Sequence, residues 1–252
     1  MNNVLFITGA AKGIGFDIAC HFAKKGASVM ITDLSEDALA EAKAKITGTV
    51  ETFVCDVSDE EAIKQAIAHT VKTFGTIDIL INNAGLQHVE KIEHFPTDQF
   101  EKMIQIMLVA PFLTTKYVLP IMKKQQYGRI INIASINGVI GFEGKAAYNA
   151  AKHGVIGLTK VAALETETDG ITVNALCPGY IQTGMVENQY KELAKLKGIS
   201  LEEAKEYLFS LIPQNRLLDV SEISSLALYL ASKEAKGLTG QAIVIDGGYT
   251  AQ

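Results

Sequence analysis

The stretch Val4–Gly15, VLFITGAAKGIG, decides the fold. Its first five residues, VLFIT, are apolar without polar alternation, the pattern of a strand buried on both faces. Gly9, Gly13 and Gly15 follow at once, and a helical pattern opens behind them. A strand that turns through glycines into a helix brings backbone N–H groups and a helix amino end to one point. That is a site for a phosphate or pyrophosphate. The spacing, TGxxxGxG, differs from the GxGxxG of the common dinucleotide fingerprint.

Outward from this unit the rhythm repeats. VLFIT (4–8), SVMITD (28–33), TFVCD (52–56), DILIN (78–82), RIINIA (129–134), TVNALC (172–177) and AIVID (242–246) read as buried strands. Helical patterns occupy 13–25, 35–46, 58–74, 99–125, 148–168 and 221–232. Ser58 with Glu61 reads as a capping box, and Pro111 as an interruption in the long fourth segment. Strict alternation predicts an α/β fold, a doubly wound Rossmann-like parallel sheet of about seven strands. Residues 185–212 break the rhythm as two short helices divided at Gly198, with Ser200 and Glu203 as a capping box. Lying beyond the sixth strand, they are expected to form a lid over a ligand site. No Pro/Gly/Ser linker or internal repeat divides the chain, so a single domain over 1–252 is expected.

Bulk properties exclude several classes. A net charge of −5 without a basic block argues against nucleic acid or an anionic membrane as partner. Three scattered cysteines without CxxC suggest neither a disulfide framework nor a zinc site, and fit a reducing, cytoplasmic setting. The opening residues lack the pattern of a signal peptide, and no apolar run looks long enough to span a membrane. The histidines show no metal-ligand spacing, and no metal is expected.

Asp33 ends the second strand, 18 residues beyond Gly15. A carboxylate there accepts hydrogen bonds from ribose hydroxyls and repels a 2′-phosphate, favouring NAD over NADP. Lys12, in the glycine turn, pulls the other way. Asp56, at the end of the third strand, is placed for an adenine amino group or, equally, for capping beside Ser58.

GKAAYNAAKHG (144–154) carries the chemistry. Tyr148 and Lys152, four residues apart, share a helix face. A phenol with a pKa near ~10 is a poor base, and a neighbouring cation is expected to lower it. Tyr148 could then exchange a proton with a substrate hydroxyl while hydride is transferred at the adjacent carbon.

TGAAKGIG, Asp33, NNAG (82–85), Ser135, YNAAK (148–152) and PGYIQT (178–183), in this order at strand ends, resemble the short-chain dehydrogenase/reductase family over essentially the whole chain. The resemblance implies a nicotinamide cofactor held by Thr8, Gly9, Gly13, Ile14 and Gly15, by Asp33, Asp56 and Val57, and by Asn83, Ala84 and Gly85. Pro178, Gly179, Ile181 and Thr183 would line the nicotinamide end. It implies Ser135 as orienter of the substrate oxygen, Tyr148 as acid/base, and Lys152 as the partner of Tyr148 and of the nicotinamide ribose. One departure is plain. The family has an asparagine in the helix after NNAG, supporting a proton relay, where this chain has Met107. A thioether cannot act as a hydrogen-bonding hub.

AGLQHVEKIEHFP (84–96), GFEGKAAY (141–148), MVENQY (185–190) and the ending DGGYTAQ resemble the D-3-hydroxybutyrate dehydrogenase branch of that family. There a Gln, a Lys and a second Gln grip the substrate carboxylate, which map to Gln87, Lys145 and Gln189. Asn137 stands for a histidine of that branch, and Tyr180 and Tyr249 for its tryptophans. The expected activity is NAD-dependent interconversion of (R)-3-hydroxybutyrate and acetoacetate. A 3-oxoacyl-thioester reductase, a polyol or sugar dehydrogenase, and a catalytically decayed nicotinamide-binding sensor stay open. The family pairs its two long helices between subunits, so the resemblance also implies a homotetramer.

Overall fold

The computed structural model describes residues 3–251, without the side chains of Met185, Glu187, Asn188, Gln189 and Leu196. Seven strands form one sheet: β1 (Val4–Thr8), β2 (Ser28–Asp33), β3 (Val50–Val54), β4 (Ile79–Asn82), β5 (Gly128–Ile133), β6 (Ile171–Pro178) and β7 (Ala242–Ile245). Their spatial order is β3-β2-β1-β4-β5-β6-β7, and every neighbouring pair is parallel. The order reverses direction between β1 and β4, and the crevice at that switch point is where such sheets take ligands.

The inner strands carry the predicted signature, since every residue of β1, β4, β5 and β6 is buried. One face is covered by α1 (Gly13–Lys24), α2 (Glu36–Lys45) and α9 (Val220–Leu230), through Ile18, Phe22, Leu39, Ile223 and Leu230. The other is covered by α3 (Glu60–Phe74), α5 (Ala110–Gln125) and α6 (Ala146–Leu164), through Ile63, Ile67, Leu113, Val118 and Ala162. The edge strand β3 starts and ends two residues before the predicted run, which leaves Asp56 in the following loop rather than at a strand end. Single-sided pairing with β2 sets its limits, in the register Val29↔Val50 to Asp33↔Val54.

Two local expectations are corrected and one is refined. The cap of α3 is Asp59, whose side chain accepts from the Glu61 N–H, not a Ser58–Glu61 box. Ser58 is instead held by Asp56, whose Oδ1 accepts from its N–H at 2.8 Å and its hydroxyl at 2.7 Å. The interruption expected near Pro111 takes the form of a π-helical turn rather than a break: α4 (Thr97–Ile104) runs through Gln105–Val109 into α5, where proline occupies the first turn. Pro111 has no N–H to give the carbonyl of Met107 four residues back. The chain adopts five-residue spacing there, with the Ala110 N–H donating to Gln105 O. Joined in this way, residues 97–125 are long and apolar enough by composition to cross a membrane, against the sequence expectation. They pack on α3, β5 and α6 with Met103, Met107, Val118 and Met122 buried, as a core helix does.

The insertion after β6 forms α7 (Gly184–Lys197) and α8 (Leu201–Ser210), broken at Gly198, where the φ of 66° suits glycine. The Ser200–Glu203 capping box is present. Val186, Tyr190, Leu193 and Leu208 pack this pair onto Ile136 and Tyr180, at the carboxyl end of the sheet.

Candidate active site

The glycine turn is braced by NNAG. The Thr8 hydroxyl accepts from the Asn83 and Ala84 N–H groups at 3.1 Å each. Asn83 Nδ2 donates to the carbonyls of Thr8 and Gly9, at 2.9 and 2.7 Å. A Cβ on Gly15 would stand 2.5 Å from Asn83 Nδ2 and 2.8 Å from Gly9 O, so only glycine lets this helix start approach β4. At Gly13 a Cβ would meet nothing within 4 Å, but φ is +62°. There glycine supplies the left-handed turn and leaves open the space over the start of α1. Lys12, the residue before α1, is extended and makes no side-chain cap.

Asp33 borders this cradle: its Oδ2 accepts from the Ala11 N–H at 3.0 Å and its Oδ1 from Leu34 N–H at 2.8 Å. The carboxylate is thus fixed beside the glycine turn. Asp56 lies on the next loop, tied to Asp33 by the Cys55 N–H donating to Asp33 O at 2.9 Å. Val57 is buried in the core beneath, and Ile14 packs partly buried at the start of α1. An open, glycine-lined helix start with a carboxylate at the next strand end fits a dinucleotide.

Across the switch point, Ser135 lies two residues beyond the end of β5 and caps the next turn. Its hydroxyl accepts from Asn137 N–H at 3.1 Å, so Asn137 enters the site through its backbone. The short 3-10 turn Ile136–Gly138 lies so close to α6 that a Cβ on Gly138 would stand 2.7 Å from Lys152 O. That contact presses the serine turn against the helix bearing Tyr148 and Lys152. Lys152 is only 5% exposed; its Nζ donates to Ile133 O at 2.7 Å and stands 5.5 Å from the centre of the Tyr148 ring. Burial lowers its pKa to about 8.

The expected lowering of the Tyr148 pKa is not found. Burial pushes the phenol above its usual value, and the Ser135 hydroxyl pulls the other way. The reason is geometric: the ammonium is aimed at a backbone carbonyl, and the site that desolvates it also desolvates the phenol.

Met107 fills the position expected for asparagine. It is 1% exposed and packs with Met103, Ala147, Ala151 and Tyr148. Its sulfur lies 3.5 Å from where a Gly85 Cβ would be. The neighbourhood is dry and apolar. A polar chain does exist nearby, on residues the sequence reading passed over. The Thr114 hydroxyl donates to Asn82 Oδ1 at 2.6 Å, Asn82 Nδ2 to Asn132 Oδ1 at 2.8 Å, and Asn132 Nδ2 to the Thr159 hydroxyl at 2.8 Å. It links α5, β4, β5 and α6 beneath the site.

Lys145, immediately before α6, is 5% exposed, with Nζ 4.6, 5.9 and 6.0 Å from the ring centres of Phe142, Tyr148 and Tyr180. Burial lowers its pKa to about 8, against the opposing charge of Glu192. A parallel bridge between Glu90 and Lys145 ties this segment to the loop after β4. Gln87, on that loop, donates from Nε2 to Glu192 Oε2 at 3.1 Å. Glu192, on α7, is a residue of the site that the sequence reading did not single out. Gln189 has its side chain outside the described residues. Tyr180 meets Tyr249 edge-on, with ring centres 5.6 Å apart. Pro178 ends β6, and Gly179 lies so close to β7 that a Cβ would stand 2.8 Å from Asp246 Cα. Ile181 bridges to Leu218, and Thr183 begins α7 without using its hydroxyl as a cap.

Comparison with known proteins places this geometry. Residues 9–250 match a family model described as enoyl-(acyl carrier protein) reductase. An uncharacterised oxidoreductase, YxjF, of Bacillus subtilis (strain 168) is 54% identical, with 99% of this chain and 98% of that protein covered. A D-beta-hydroxybutyrate dehydrogenase of Rhizobium meliloti (strain 1021) is 41% identical over the whole of both chains. Among solved structures, a variant of actinorhodin polyketide ketoreductase with NADPH superposes with a TM-score of 0.97 at 32% identity, covering 100% of this chain and 98% of that one.

Proposed function

The chain belongs to the short-chain dehydrogenase/reductase family, and from that premise we propose an NAD-dependent dehydrogenase that interconverts (R)-3-hydroxybutyrate and acetoacetate. The observation that carries this reading is Lys145, a buried cation among three rings, one helical turn from Tyr148. A buried ammonium is costly even with the charge of Glu192 acting on it, and a substrate carboxylate in direct contact would offset that cost.

The glycine turn, Asp33, Asn83 and the loop from Pro178 to Thr183 would hold the nicotinamide cofactor, which supplies the hydride acceptor or donor when bound. Asp33 supports NAD, since a fixed carboxylate repels a 2′-phosphate. In the reductive direction the neutral Tyr148 phenol gives its proton to the substrate carbonyl oxygen as C3 is reduced. In the oxidative direction the Tyr148 phenolate accepts the proton of the substrate hydroxyl, and the phenol is restored. Ser135 holds the same oxygen. Lys152 fixes the base of the site through Ile133 and keeps a positive charge near the developing oxyanion. Lys145 and Gln87 orient the carboxylate. Exposed Phe112, Val161 and Leu164 on α5 and α6 support subunit pairing through these helices in a homotetramer.

A spectrophotometric comparison of acetoacetate, an acetoacetyl thioester and xylulose, each with NADH and NADPH, tests the proposal. Acetoacetate with NADH should give the highest kcat/KM. A thioester or sugar turned over at least about tenfold better would overturn the substrate assignment.

A further inference from the structure

We propose that Glu192 is a specificity-determining residue that stands in the carboxylate grip itself, so that a small monoanion binds by exchanging with it. The proposal rests on the assignment of Gln87 and Lys145 as carboxylate-binding residues. Glu192 Oε2 takes the amide donor of Gln87 at 3.1 Å. Its charge acts on the buried Lys145 ammonium and offsets part of the effect of burial. Gln87 and Lys145 lie on segments joined by the Glu90–Lys145 bridge, so the two donors form one unit. The third member comes from α7, on the helical insertion packed over the carboxyl end of the sheet through Val186, Tyr190 and Leu193.

The arrangement has a direct consequence for recognition. A grip of one cation and amide donors alone would bind any small carboxylate with little discrimination. With Glu192 in the same cluster, an incoming carboxylate competes with a tethered one for the same donors. Glu192 and an incoming carboxylate are like charges drawn to one buried ammonium, and they repel each other. The exchange therefore weakens simple acids that offer the carboxylate alone. It leaves at an advantage a substrate whose second polar group also engages Ser135 and Tyr148. It further couples anion binding to α7, because the Gln87–Glu192 hydrogen bond joins that helix to the loop after β4.

Glu192→Gln keeps the size and hydrogen-bonding capacity of the side chain while removing its charge, and Glu192→Ala is a second variant in case the first is poorly folded. Butyrate binding is measured calorimetrically on the NADH-loaded protein at about pH 6.5, where Lys145 is charged. Acetoacetate and its uncharged methyl ester are assayed in parallel. The expected result is butyrate binding at least about fivefold tighter in either variant, with the KM for acetoacetate falling relative to that for the ester. Equal or weaker butyrate binding in both variants overturns the proposal, as does no measurable binding to any of the three proteins. The binding arm needs no turnover. Tighter butyrate binding together with absent acetoacetate turnover would uphold the role of Glu192 and reject the substrate named above.

Discussion

The Lys152 ammonium donates to the carbonyl oxygen of Ile133 at 2.7 Å, while its distance to the Tyr148 ring centre is 5.5 Å. The lysine thus ties α6 to the end of β5, next to Ser135, with the Tyr148 ring beside its ammonium. Tyr148 carries the proton transfer on this account. Tyr148→Phe should lower kcat by about 10²–10⁴-fold, the usual contribution of a positioned acid or base. Fluorescence titration with NADH should show binding little changed. Retention of more than a tenth of the activity would remove Tyr148 from its role.

Lys145 titrates near the working range because burial lowers its pKa to about 8. It is charged below that value and neutral above it. The proposed carboxylate grip would therefore be present at neutral pH and lost as pH rises through about 8. The KM for acetoacetate should climb above that point, approaching tenfold per pH unit at the limit. Lys145→Ala should raise KM at neutral pH by about 10–100-fold, the value of a charge-assisted hydrogen bond, and flatten the rise. Lys152 has a similar value. A rise that persists in the Lys145 variant would assign the titration to Lys152 instead.

Asp33 holds both carboxylate oxygens in backbone hydrogen bonds at the edge of the glycine turn. Asp33→Ser removes the charge that repels a 2′-phosphate and leaves Lys12 on the same turn. The ratio of kcat/KM for NAD to that for NADP should fall by about 10–100-fold, one to two powers of ten for roughly 1.4–2.8 kcal/mol. An unchanged ratio would show that cofactor choice lies elsewhere.

Gly13 and Gly15 occupy one turn but should respond differently to alanine. At Gly15 the new methyl would meet Asn83 Nδ2 at 2.5 Å and Gly9 O at 2.8 Å. Glycine turn and NNAG loop must then separate, so Gly15→Ala should lose most NADH affinity as well as stability. At Gly13 the methyl has space, and the cost is the left-handed φ of +62°, about 1–2 kcal/mol. Thermal melts of the two variants with and without NADH separate the effects.

Much of the scaffold was legible because inner parallel strands are apolar on both faces. VLFIT and SVMITD coincide with β1 and β2 at every residue. The edge strand β3 was misjudged by two residues because only one neighbour defines its ends. The paired asparagines of the buried chain could not be found from the sequence. Asn82 and Asn132 face each other only through the β4–β5 register, fifty residues apart in the chain. Glu192 was hidden for another reason. In QYKELAKLK it reads as a solvated helix charge, and only the packing of α7 over the sheet turns it towards Gln87. The influence of Lys152 on Tyr148 was overestimated because sequence spacing gives a shared helix face without saying where the ammonium points.

Met107 stands where the family resemblance implies an asparagine. An asparagine there would be expected to serve a proton relay, yet the position is 1% exposed and surrounded by Met103, Ala147, Ala151 and Tyr148. A relay needs partners for each polar atom, and these side chains offer little beyond the phenol. Met107→Asn would bury an amide with its donors and acceptor largely unmet, at a cost of about 1–3 kcal/mol for an unsatisfied polar group. It also gives up the thioether packing against Gly85. The variant should melt several degrees lower and gain no more than about twofold in kcat. A large gain in kcat would mean that a proton path through the π-helical turn had been latent in the scaffold. In that case the present enzyme would be limited by its proton supply rather than by the exchange at Tyr148.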